Sequence, residues 1–157
     1  FYLLGKTYDK LQTFVPIQEY QIDYYKNKFL KYINPGFIKC VTDENDELVA
    51  FAITMPSFSN ALKKINGKVD FFGKLRLLHA KNFNHKGSLY LIGVRPDFQN
   101  KGVIAILFNE LQKFYNKFGI TEVETNPELI ENTAIQQLWK NYENNQHKNR
   151  ATFTKQI

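Results

Sequence analysis

The sequence predicts an α/β fold in which strands and helices alternate around one central sheet. Three observations carry that expectation. Two apolar runs flank an acidic turn at residues 43–46, the second half reads strand, helix, strand, helix, strand, and a long amphipathic helix sits between two apolar strands. The length agrees, because 157 residues support one domain with a real core and are too few for two comfortable ones. Residues 1–157 are therefore expected to form a single domain.

The elements follow in order. Residues 1–16 give the weakest pattern: FYLLG fits a short strand, and Pro16 fits the first turn of a helix. From Gln18 to Ile33 the set Ile22, Tyr25, Phe29 and Tyr32/Ile33 recurs at helical spacing, and Asn34-Pro35-Gly36 ends it. Phe37 to Thr42 and Leu48 to Met55 read as a strand pair joined by a turn at Asp43-Glu44-Asn45-Asp46. Residues 57–86 form a basic helical insertion, with patterns at Ala61-Leu62-Ile65 and Phe71-Leu75-Leu78 divided by Asn66-Gly67. Its apolar residues Phe71, Phe72, Leu75, Leu77 and Leu78 either line a pocket or pack on the sheet, and packing is the expectation.

Ser88 to Val94 is a buried-looking strand. Gly93 inside it signals a bulge or a close backbone approach. Gly102 to Phe118 is the clearest helix, with Ile104, Leu107/Phe108, Leu111, Phe114/Tyr115 and Phe118 in one stripe and Gly119 as its stop. Ile120 to Thr125 is a strand, Glu131 to Glu143 a helix carrying Ile135, Leu138/Trp139 and Tyr142, and Arg150 to Ile157 a terminal strand.

Composition narrows the function classes. The chain is 43% hydrophobic and 23% charged, which is globular. One Cys excludes an internal disulfide and a multi-Cys metal site and suits a reducing compartment, so a cytoplasmic location is expected. His79, His85 and His147 lack metal-ligand spacing, and no metal is expected. No apolar run reaches the ~20 residues of a spanning helix, so membrane insertion is not expected. The opening residues lack a signal-peptide pattern, and Phe1 in place of Met suggests a piece of a longer protein. A net charge of +6 favours an anionic partner without naming it.

Chemistry concentrates in residues 89–111, where a buried strand enters a short polar loop that opens the long helix at Gly102. Such a helix start offers unpaired N–H groups and the positive end of the dipole. Gly102 lets a phosphate approach the backbone, and Lys101 adds a mobile cation. The bland alternative is a polar loop with a flexible helix start.

Here the sequence resembles the GNAT superfamily of acyl-CoA-dependent N-acyltransferases. Val94, Pro96, Gln99 and Gly102 match its strand, Pro-containing turn and Gln/Arg-x-x-Gly-x-Gly/Ala helix opening. Ile104 departs from the final small residue. Asn126 and Asn132 continue the likeness, which covers residues ~88–150 well, whereas the earlier elements match in order only. The resemblance implies a mixed, mostly antiparallel sheet flanked by helices. It also implies acetyl-CoA or another acyl-CoA as cosubstrate. Gln99, Asn100, Lys101, Gly102, Val103 and Ile104 would hold its pyrophosphate, Gly93 or Val94 would offer an N–H to the thioester oxygen, and Asn126 and Asn132 would bond the cofactor arm.

The implied reaction is direct attack of a primary amine on the thioester, the acceptor being a small molecule or a peptide. Glu122 and Glu124 share one strand face and are the candidate bases, with solvent-facing charge as the plain alternative for each. Where the superfamily often carries a Tyr acid this chain has Trp139, whose indole is no acid. Tyr142 is the substitute, although its spacing suits a core aromatic. Ile104 and Trp139 motivate a second reading, a domain that binds or senses acyl-CoA without turnover. A nucleic-acid module ranks last, because no recognised RNA- or DNA-binding pattern accompanies the charge.

Overall fold

The computed structural model describes every residue except 10–13, 29, 31–32 and 156–157, and of Ala134 only the backbone. The order is α1 (Tyr2–Tyr8), α2 (Glu19–Lys28), β1 (Ile38–Thr42), β2 (Leu48–Pro56), α3 (Ser59–Ile65), α4 (Phe71–Asn82), β3 (Lys86–Val94), α5 (Val103–Phe118), β4 (Glu122–Thr125) and α6 (Thr133–Trp139). The four strands lie in the order β1-β2-β3-β4, and both β1–β2 and β2–β3 pair antiparallel. This is the mixed α/β, mostly antiparallel architecture expected. The chain divides into two compact units, Phe1–Glu124 and Thr125–Ile157.

In the first unit, α5 covers the β1–β2 pair. Val103, Leu107, Leu111 and Tyr115 recur every fourth residue and are buried. Phe37 meets Phe114 edge-on at 4.9 Å and Phe118 at 5.5 Å, so the aromatic content goes where the helix closes on the sheet. A second cluster joins Leu3, Leu4 and Phe51 with Tyr8, Ile17, Ile53 and Leu91.

That cluster corrects the reading of FYLLG as a strand. Leu3, Leu4 and Tyr8 fall on one face only in a helix, and burying that face outweighs the strand propensity of the segment. Pro16 also lies outside a helix. The Gln18 N–H donates to the Gln21 side chain at 2.9 Å, and α2 begins at Glu19. The expected Gln18–Ile33 helix is shorter: α2 ends at Lys28 and Ile33 stands in a bend ahead of Pro35, while Phe29 and Tyr32 fall outside the described residues.

The interior glycine of β3 is no bulge. Gly93 pairs in register with Phe51, and the register shift lies instead at Tyr90, between the pairs Ile53–Leu91 and Thr54–Leu89. A Cβ at position 93 would stand 2.5 Å from the Phe51 ring and 3.1 Å from the Thr7 hydroxyl. Close approach of α1 and Phe51 therefore explains the glycine.

The insertion forms both expected helices, yet its large apolar residues do not pack on the sheet. Phe71, Phe72, Leu75 and Leu78 are exposed and Leu77 is half-buried; only Gly73 of α4 is buried. In the second unit α6 is shorter than the sequence suggests, because the Asn144 side chain donates to the Trp139 and Tyr142 carbonyls just beyond it. Residues 151–155 are exposed and irregular, not a strand. Exposed backbone of this kind can satisfy its polar groups without a strand partner.

Candidate active site

The site grows from the hydrogen-bond phase of β3. The Arg95 N–H donates to the Val49 carbonyl at 2.8 Å, in line with the Gly93–Phe51 and Leu91–Ile53 pairs. Alternate residues of an antiparallel ladder turn N–H and C=O to the same neighbour. Residues 91, 93 and 95 thus face β2, whereas Ile92 and Val94 face the other edge. There the Tyr8 hydroxyl donates to the Ile92 carbonyl at 2.9 Å, and the Gln99 side chain donates to the Val94 carbonyl at 3.3 Å. Burial pushes the Tyr8 phenol up, against the opposing bond to Ile92. Of the two backbone candidates, Val94 directs its N–H to the outer edge and Gly93 directs its own to Phe51.

Between β3 and α5 the loop is shaped by left-handed residues at Asn100 (φ 60°) and Gly102 (φ 77°). Gly102 is the N-cap of α5, and no side chain caps this start. Its carbonyl accepts from the Ala105 and Ile106 N–H groups. A Cβ at Gly102 would meet nothing within 4 Å, so the space above the helix start is open. Asn100, Lys101 and Gly102 are exposed, Val103 is buried and Ile104 half-buried. The N–H groups of the first turn and the helix dipole suit an anion there.

Arg95 organises this loop, and sequence reasoning passed it over. Its guanidinium pairs with Asp97 at 2.8 Å and with Asp43 of the β1–β2 turn at 3.3 Å, and lies 4.5 Å from the centre of the Phe98 ring. Lys101 also leans on Phe98, at 5.1 Å. The bond to Arg95 holds the Asp97 carboxyl below the usual range despite some desolvation. The available signal was a lone cation directly after a buried strand, with acids in both adjoining turns.

β3 and β4 start side by side, since the His85 carbonyl accepts from the Thr121 and Glu122 N–H groups. Glu122 pairs with Lys86 at 2.5 Å, and that bond holds its carboxyl below the usual range. Glu124, two residues on and on the same strand face, is half-buried where Glu122 is exposed. The structure therefore joins Gly93, Val94, Gln99 and residues 100–104 in one strand–loop–helix run, with Glu122 and Glu124 on the adjoining strand.

Asn126, Asn132, Trp139 and Tyr142 belong to the second unit. Asn132 is the N-cap of α6, but its side chain makes no capping bond. The Trp139 indole N–H donates to Glu128 at 2.8 Å. Tyr142 is 41% exposed, which corrects its reading as a core aromatic, and its ring lies 6.3 Å from that of Trp139.

Sheet, open loop and glycine-led helix together make an α/β protein with an uncapped helix start suited to an anion. The family model of the GNAT acetyltransferases matches residues 6–142, and the chain belongs to that family. A comparison with curated proteins returns no match. Solved structures are similar in fold. The aminoglycoside 6'-N-acetyltransferase AAC(6')-IG of Acinetobacter haemolyticus is 14% identical, with a TM-score of 0.57 over 98% of this chain and 92% of that one. An aminoglycoside acetyltransferase from an uncultured soil metagenomic sample, in complex with sisomicin, is 12% identical (TM-score 0.52, 98% and 84% covered). The aminoglycoside N-acetyltransferase AAC(6')-Iy in complex with CoA is 17% identical (TM-score 0.50, 76% and 75% covered).

Proposed function

We propose that the chain is an N-acyltransferase moving an acetyl group, or another acyl group, from coenzyme A to a primary amine by direct attack in a ternary complex. One observation carries the reading: the uncapped, open start of α5 at Gly102 follows directly on the outward-facing backbone of Val94. The loop residues fit a pyrophosphate. Backbone N–H groups from Gln99 to Ile104 would bind it, with Lys101 swinging from Phe98 to add charge. The acyl thioester supplies an activated carbonyl; the Val94 N–H would stabilise the charge that develops on its oxygen.

Glu122 or Glu124 would take the proton of the attacking ammonium, directly or through a water; the Lys86 ammonium beside Glu122 lowers the basicity of that carboxylate. Asn126 and Asn132 would bond the cofactor arm. The thiol leaves tolerably as thiolate, its reference pKa being about 8.5, so the mechanism does not depend on an acid at Trp139 or Tyr142. The acceptor would be a small amine or a peptide. Such work belongs to the cytoplasm, where a lone cysteine stays reduced.

Calorimetric titration of acetyl-CoA tests this. The protein should bind, and Gly102→Glu should abolish binding by placing a carboxylate in the phosphate space; absence of binding by the wild type would refute the proposal. Trp139, committed to Glu128, favours a second reading, an acyl-CoA-binding domain without turnover. Binding with no thiol release across a broad amine panel would select it.

A further inference from the structure

The helix α4 turns its largest apolar residues away from the protein. At 100° per residue, Gly73, Leu77 and Ala80 share the inward face, whereas Phe71, Leu75 and Leu78 share the opposite one with Phe72 beside them. Phe71 and Phe72 are 69% and 68% exposed, and Leu75 and Leu78 about half. The inward face is small for a reason: a Cβ on Gly73 would lie 2.8 Å from the Lys68 carbonyl. Lys74 and Lys81 flank the apolar strip on one side and Arg76 on the other.

Charge identifies what fits this face. Residues 57–85 carry six Lys and Arg against the single acid Asp70, and Asp70 is occupied as the N-cap of α4, accepting from the Gly73 N–H at 2.7 Å. A second copy of the chain would set cations against cations. A groove of about 660 Å³ between α3 and α4 takes in Phe72, Leu75 and Phe83. Phe71 and Leu78 lie outside its lining, so the strip is wider than one groove-bound peptide would cover.

We propose that α4 is an interfacial anchor that rests the domain on an anionic membrane surface. Phenylalanine and leucine side chains enter the headgroup–acyl boundary, and Lys74, Arg76 and Lys81 meet anionic headgroups. The contact is peripheral, because among the described residues no helix is long and apolar enough to cross a membrane.

Co-sedimentation with vesicles tests it, comparing phosphatidylcholine alone with a phosphatidylcholine–phosphatidylserine mixture. The protein should pellet with the mixture, less so as salt rises, and stay in solution with phosphatidylcholine. Phe71→Ser/Leu75→Ser/Leu78→Ser should weaken partitioning by about tenfold or more, with its circular dichroism and melting transition retained. Should that variant fail to fold, Lys74→Glu/Lys81→Glu is read in its place and should lose the dependence on phosphatidylserine. The proposal is overturned by equal pelleting with both vesicles, or by pelleting with neither. It is also overturned by a concentration-dependent dimer that the triple substitution abolishes, or by binding of an acidic amphipathic peptide without binding to vesicles.

Discussion

Glu122 shows how one neighbour changes the chemistry of a candidate base. The Lys86 ammonium favours the charged form of Glu122 and lowers its basicity, whereas a general base works best with a pKa raised toward the working pH. Replacing whichever of the two is the base, in Glu122→Gln or Glu124→Gln, should reduce kcat/KM by about 10²–10⁴-fold, and replacing the other should leave it nearly unchanged, as measured by thiol release under steady-state conditions. Small effects of both substitutions would remove the role from this strand face. Strand alternation made the shared face legible in the sequence; the ion pair was not, because Lys86 and Glu122 stand on separate strands. Gly93 repeats the lesson. An interior glycine was visible, but only the structure shows the Phe51 ring that requires it.

Among the elements, α5 was the most legible, since its apolar period spans four turns between two glycines. Both glycines adopt left-handed conformations, at φ 77° and 70°, where other residues are strained. Leu107, 1% exposed, should cost about 2–5 kcal/mol when changed to Ala. Its neighbour Ile106, 54% exposed, should stay within about 0.5 kcal/mol on the same change, both read from urea midpoints. In α4 the position was legible and the orientation was not. A helix with apolar residues over a wide arc does not declare which side the protein covers; the covered side is the one where a Cβ at Gly73 would stand 2.8 Å from the Lys68 carbonyl of the preceding turn. Cys40, in β1, is exposed, and desolvation pushes its thiol up, so it is a poor nucleophile near neutral pH.

Across the first unit, Arg95 ties the β1–β2 turn to the loop that opens α5, joining residues 52 apart in sequence. Desolvation alone would raise the Asp43 carboxyl, but the N–H groups of Glu47 and Asn45 and the Arg95 guanidinium together hold it below its ordinary value. A lowered folded-state pKa stabilises above the unfolded value, about 3.9, and that stabilisation disappears as pH falls through the folded value. The urea midpoint should thus fall steeply below about pH 4, and Asp43→Asn should flatten the fall while lowering the midpoint at neutral pH. An unchanged acid limb in the variant would remove Asp43 from this role.

Periodicity, glycine stops and the Gln99–Gly102 loop lie within a few residues of one another, so the sequence by itself determined the α/β class, most elements and the run from β3 into α5. Partners distant along the chain were decided only by tertiary structure: the packing of α1 that makes FYLLG a helix, the acids held by Arg95, the carboxylate paired with Lys86 and the outward face of α4. The physical reason is range. Backbone propensity acts over a turn or two, whereas burial and ion pairing depend on the path by which the whole chain brings remote residues together.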